Sequence, residues 1–225
     1  MKKIKTLFKR EIVNHRIVGI SPEIPEGYEW VINEPCIATR KHDGTAVAII
    51  GGRLYARLDF KNLKSKKLPE GAIACQEEPD SVTGSHPYWV PVAKETITVM
   101  NACDFNTKDA VVDMIYKYQF EAFKKLISES NVEHMADLDG SYELCGPHIK
   151  SNPEQLEQDT LIRHGSAVLQ DVTMTFNGIK EYLENNYIEG IVFYRANGDM
   201  AKIKRSDFGL EWRGHQERRT RKKKK

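Results

Sequence analysis

The chain has 225 residues, of which 40% are apolar and 29% charged, with a formal net charge of +2. That length supports one sizeable core with small extensions, and no run approaches the ~18 consecutive apolar residues that a membrane helix needs. Cys36, Cys75, Cys103 and Cys145 are scattered without a C-x-x-C pair, which argues against a zinc site or a secreted disulfide framework and for free thiols. The basic start Met1-Lys2-Lys3-Ile4-Lys5 is followed by no apolar signal-peptide core, so a soluble cytoplasmic protein is expected.

Residues 1–29 carry mixed charge and two prolines, Pro22 and Pro25, and read as an N-terminal extension with no chemistry of its own. From residue 30 the pattern becomes β. Cys36-Ile37-Ala38-Thr39 leads into Lys41-His42-Asp43-Gly44-Thr45, and a second strand runs to Ile50. Gly51-Gly52 then predicts a hairpin turn into Arg53–Leu58, because glycine readily adopts the φ > 0 that tight two-residue turns demand. Lys41 therefore sits at a strand edge, and on the return strand Arg53, Tyr55 and Arg57 share one face. A lysine and an aspartate before a glycine also describe an ordinary exposed turn. Use of Lys41 as a nucleophile requires burial or nearby positive charge, since a lysine with a pKa of ~10.4 is neutral only about one time in a thousand near neutral pH.

Residues 61–93 read as a loop, basic at Lys61, Lys64, Lys66 and Lys67 and punctuated by six prolines and glycines from Pro69 to Pro91. Within it, Ser85–Val92 reads as a small satellite core. A strand is predicted over 96–101 and an amphipathic helix over 108–130, with Val111, Val112, Ile115, Tyr118, Phe123, Leu126 and Ile127 on its apolar stripe. Asp137-Leu138-Asp139-Gly140 turns into a strand carrying Glu143, without the spacing of a calcium loop. His86, His148 and His164 carry no metal-ligand spacing. Residues 177–186 predict a short helix capped by Asn177, with Tyr182 and Leu183 facing inward. The strand Tyr187–Phe193 holds Glu189 and turns at Asn197-Gly198, so its return brings Lys202 and Lys204 toward that glutamate. From residue 201 onward 11 Lys or Arg stand against 3 acids, while the first 200 residues hold 23 against 29. The basic end, Arg218–Lys225, reads as a phosphate-backbone contact, or else as a solvated tail or address signal.

The order of these pieces carries a resemblance. K-x-D-G at Lys41, Arg57 on the next strand, Tyr142-Glu143-Leu144-Cys145-Gly146, Glu189-Gly190 and the Lys202-Ile203-Lys204 pair span roughly residues 30–205. In that order the chain resembles the covalent nucleotidyltransferases: ATP-dependent DNA and RNA ligases and mRNA-capping guanylyltransferases. The resemblance implies an α+β nucleotidyltransferase (ATP-grasp-like) domain of antiparallel sheets flanked by helices over 30–209, between the extension at 1–29 and a basic tail at 210–225. It implies that Lys41 attacks the α-phosphate of ATP, that the resulting lysyl-adenylate passes to an RNA 5′-phosphate, and that an RNA 3′-hydroxyl displaces AMP.

By the same resemblance Asp43 orients Lys41, and Lys202 and Lys204 contact the α-phosphate and lower the Lys41 pKa. Glu189 contacts Mg2+ or Mn2+, Glu143 a ribose hydroxyl or metal, and Arg57 the nucleotide phosphate or ribose. Only 21 residues follow Lys204, too few for the C-terminal oligonucleotide-binding (OB) barrel of DNA ligases and capping enzymes. A stand-alone, monomeric RNA ligase with RNA and ATP as its partners is therefore expected. Arg40 stands where many ligases carry an acidic residue, which leaves the adenine contact from that position unassigned. A GTP-dependent guanylyltransferase and a non-catalytic nucleic-acid-binding module are the alternatives.

Overall fold

The computed structural model describes residues 1–14, 16–61, 68–81, 83–92 and 114–214, with the side chains of residues 16, 17 and 114 left aside. The expected strand at 96–101, Cys103, Val111, Val112, Lys64, Lys66, Lys67 and the tail from 215 lie outside these residues.

The chain divides into two compact units, and the boundary falls within K-x-D-G, between Asp43 and Gly44. One unit comprises Ile4–Asp43 and the chain from Gly165 onward; the other comprises Met1–Lys3 and Gly44–His164. The first begins with β1 (Lys5–Thr6), β2 (Arg10–Val13), β3 (Arg16–Ile20), the single-turn helix α1 (Trp30–Asn33) and β4 (Ile37–Lys41). The second carries β5 (Thr45–Ile50), β6 (Arg53–Lys61), β7 (Ile73–Ala74), β8 (Ser85–Pro91), α2 (Lys117–Glu129), β9 (Gly140–Cys145) and β10 (Thr160–Arg163). The chain then returns to the first unit with α3 (Phe176–Asn185), β11 (Gly190–Tyr194) and β12 (Met200–Lys204). Among the described residues the fold is thus mixed α+β, with mostly antiparallel sheets and few helices.

In the first unit the sheet order is β1-β12-β11-β4, antiparallel except for the β1–β12 pair. Alternation along β12 sends Ala201 and Ile203 into the core and leaves Lys202 and Lys204 on the opposite face. Beneath the sheet, Ile191, Phe193, Ile179 and Leu183 are fully buried with Leu7 and Phe8, each side chain contributing roughly 1.5–3 kcal/mol by leaving water. Phe8 packs edge-on against Phe176 and Phe208, at 4.9 and 6.3 Å between centroids. The segment read as an extension thus supplies both a strand and core side chains. Helix α3 is capped by the Thr175 side chain, which accepts from Gly178 N at 3.1 Å, rather than by Asn177. Asn177 already lies inside the first turn.

The second unit is a six-stranded sheet, β10-β9-β5-β6-β8-β7, with α2 against one face. The Gly51-Gly52 turn forms as expected, φ +57° and +72°, with both amides donating to the Asp139 carboxylate. Two expectations are corrected. Residues 85–91, expected within a loop, form β8, paired with both β6 and β7, because burial of Tyr88, Trp89 and Val90 outweighs Pro87 and Pro91 on either side of them. Helix α2 buries Phe120, Phe123 and Ile127, and Tyr116 is buried just ahead of it, whereas Ile115, also ahead of it, is 68% exposed and Tyr118 faces outward. Phe123, Leu126 and Ile127 thus lie on the inward face as expected, Phe120 joins them, and Tyr118 alone of the expected stripe within α2 lies on the other side. Trp89 packs with Ala48 and Tyr55 as a small separate cluster on the sheet's other face.

Candidate active site

Strand β11 is the middle of three antiparallel strands, and its register places Gly190 opposite both Lys41 on β4 and Lys204 on β12. Lys41, far away in sequence, therefore meets the two ends of the β11–β12 hairpin in one row. Glu189, immediately before that glycine, is 2% exposed. Its Oε2 lies 2.5 Å from Lys41 Nζ and its Oε1 2.8 Å from Lys204 Nζ. A residue larger than glycine would not fit at 190. A Cβ there would run into the Ile203 carbonyl oxygen and lie 2.9 Å from Lys204 Cα, so this close strand approach requires the glycine of the E-G pair.

Lys202 lies on the same face of β12 as Lys204. Burial and the neighbouring charges of Lys41 and Lys204 push its pKa down to about 8, against the opposing pull of Glu189; Arg10 adds to the depression. Arg10 itself is ion-paired to Asp207 at 3.2 Å. The cluster is thus rich in cations with one buried carboxylate at its centre, an arrangement that attracts polyanions and stabilises charge on phosphoryl oxygens.

Asp43, two residues beyond Lys41, is 3% exposed, and its Oδ2 accepts from the Trp212 indole Nε1 at 2.9 Å. Trp212 falls in the segment assigned to the tail from sequence. No local motif pointed to it.

Glu143, Arg57 and Gly44 belong to the second unit. Glu143 Oε1 accepts from Gly44 N at 2.9 Å, and its Oε2 lies 3.0 Å from His164 Nε2; His164 Nδ1 in turn lies 2.9 Å from Ser141 Oγ. His164, which the sequence left without a role, therefore orients Glu143. The antiparallel pairing of β9 and β10 brings the residue just past β10 back beside Ser141 and Glu143. Arg57 donates to the Met1 carbonyl at 3.2 Å and pairs with Asp59 at 3.4 Å. His86 is buried between Gln76 O and Tyr88 Oη, a structural role. His148 pairs with Asp159 at 2.8 Å and stacks on Tyr118 at 4.2 Å.

Among the described residues no group of three or more His, Cys, Asp or Glu gathers as a metal cage. A hard divalent cation in a phosphoryl-transfer site needs only one or two carboxylates, taking its other ligands from substrate phosphates and water. Glu189, a carboxylate among phosphate-seeking lysines, fits that donor set.

A family model described as RNA ligase 1 matches residues 56–223, about three quarters of the chain. The match includes Arg57, Glu143, His164, Glu189, Lys202, Lys204 and Trp212, and begins beyond Lys41 and Asp43. No curated protein matches the chain. Among the described residues no helix is long and apolar enough to cross a membrane.

Proposed function

The chain belongs to the RNA ligase 1 family, and we propose that it joins RNA 5′-phosphate and 3′-hydroxyl ends at the expense of ATP, through an adenylate carried on Lys41. The observation that supports this reading most directly is the register that sets Lys41, Glu189-Gly190 and Lys204 abreast on neighbouring strands. The mostly antiparallel sheets agree with a nucleotidyltransferase fold.

In the proposed first step Lys41 Nζ, freed from Glu189 and having lost a proton to solvent, forms a P–N bond to the α-phosphorus. The α–β phosphoanhydride bond breaks, and pyrophosphate leaves with the electron pair. Lys202 and Lys204 balance the charge on the α-phosphate oxygens, and such positioned cations are the main means of accelerating phosphoryl transfer. Glu189 would hold Mg2+ or Mn2+, which supplies further neutralisation of phosphate charge when bound. Glu143, fixed by His164, and Arg57 are assigned to the nucleotide's ribose and phosphates. The adenylate then moves to the RNA 5′-phosphate oxygen, restoring the Lys41 amine. Attack by the 3′-hydroxyl forms the phosphodiester and releases AMP.

The test is covalent labelling. Protein mixed with magnesium and α-labelled ATP or GTP, then denatured and run on a gel, should retain label from ATP and lose it in Lys41→Ala, while the variant keeps its far-UV spectrum. Label from GTP alone would instead indicate a guanylyltransferase. No label from either nucleotide would indicate a binding module, and label on Lys41→Ala would remove Lys41 from the mechanism.

A further inference from the structure

Trp212 is 2% exposed, and its Nε1–H is directed at the carboxylate of Asp43 at 2.9 Å. A buried indole needs a hydrogen-bond partner, and a backbone carbonyl would suffice. Here the partner is a buried carboxylate, which itself needs donors to remain charged away from water.

The indole is held from behind. Its ring packs on Tyr187 at 5.2 Å between centroids, and the guanidiniums of Arg205 and Arg213 lie 4.9 and 5.0 Å from that tyrosine's ring. Arg205 donates to Glu211 O at 2.7 Å, to Asn186 O at 3.1 Å and to Leu183 O. Its own amide donates to Glu189 O at 2.8 Å, and the Arg213 amide donates to Tyr187 Oη at 3.1 Å. The segment that leaves β12 just after Lys204 is thereby braced against Glu189 and α3, and it delivers Trp212 to Asp43.

We propose that Trp212 is a positioning residue for nucleotidyl transfer. Its N–H fixes the Asp43 carboxylate and, through the two intervening peptide bonds, the strand end from which Lys41 projects. This rests on the reading of Lys41 as the nucleophile. A displacement of about 1 Å in a reacting group costs on the order of a hundredfold in rate, so losing this constraint should slow the chemical step more than it weakens nucleotide binding.

The experiment first establishes wild-type labelling from ATP and its loss in Lys41→Ala; failure there rejects the underlying reading and not the role of Trp212. Trp212→Phe keeps an aromatic ring and removes the donor. It should lower the single-turnover rate of adenylate formation by roughly tenfold to a hundredfold at saturating ATP, with the half-saturating ATP concentration changed less than about threefold. If that variant does not fold, 3-benzothienylalanine at position 212 keeps the bicyclic shape and replaces the N–H by sulfur. In an Asp43→Asn background the same change at 212 should add little further loss, because both act on one contact. Wild-type adenylation by the donor-less protein, or independent multiplication of the two losses, would overturn the proposal.

Discussion

Replacing Glu189 with glutamine keeps the side chain's shape and removes its charge. The carboxylate is 2% exposed and lies 2.5 and 2.8 Å from the ammonium groups of Lys41 and Lys204, whose side chains are 19% and 26% exposed. Lys202 stands close enough that their charges help to depress its pKa. Arg10 is already offset by Asp207, so Glu189 balances the lysines. Breaking a buried ion pair by removing one partner costs ~3–5 kcal/mol. The lysines keep some access to water, which lowers the expectation to roughly 2–4 kcal/mol. For a chain of this size that corresponds to a fall in melting temperature of about 5–15 °C.

Urea unfolding followed by circular dichroism, without nucleotide or metal, reads this term separately from any effect on catalysis. A lower midpoint with an unchanged slope is expected. Less than 1 kcal/mol of destabilisation at pH 7 would refute the view that Glu189 is the counter-charge of the cluster.

Lys202, with a pKa of about 8 in the fold, binds fewer protons than in the unfolded chain between about pH 8 and 10.5, so its contribution to stability rises with pH across that window. Lys202→Met should therefore be more stable than wild type at pH 7, by up to about 3 kcal/mol at 1.36 kcal/mol per pKa unit, with the advantage gone near pH 10.5; a difference independent of pH, measured by denaturant unfolding, would refute the burial argument. Gly190→Ala should cost more than about 3 kcal/mol or prevent folding, since its methyl group meets backbone atoms of β12; a wild-type melting curve would show that the strands part easily. Removing residues 216–225, which hold seven basic side chains, should leave self-adenylation near normal while raising the RNA concentration needed for sealing. The salt slope should flatten by about 0.7 per lost phosphate contact, and unchanged salt dependence would make the tail a solvated appendage.

The strands bearing Lys41, Glu143, Lys202 and Lys204, and the one that begins just after Glu189, were legible in the sequence because their determinants are local: alternation with a period of two, and Gly-rich turns at 51–52 and 198. The β11–β12 hairpin alone made the approach of Glu189 to the lysines foreseeable. Helix ends and stripe phase were less legible, since a cap at Thr175 and burial of Phe120 in place of Tyr118 depend on what the helix packs against. β8 was misread because the prolines are a local signal, whereas pairing to β6 and β7 is supplied from elsewhere in the chain. Only tertiary structure placed Lys41 against Glu189, across 148 residues of sequence, Trp212 against Asp43, across 169, and His164 against Glu143. None of these pairs shares a strand or a hairpin turn that spacing could reveal. Register and burial decided them, because a buried carboxylate must find donors or cations wherever the fold brings them.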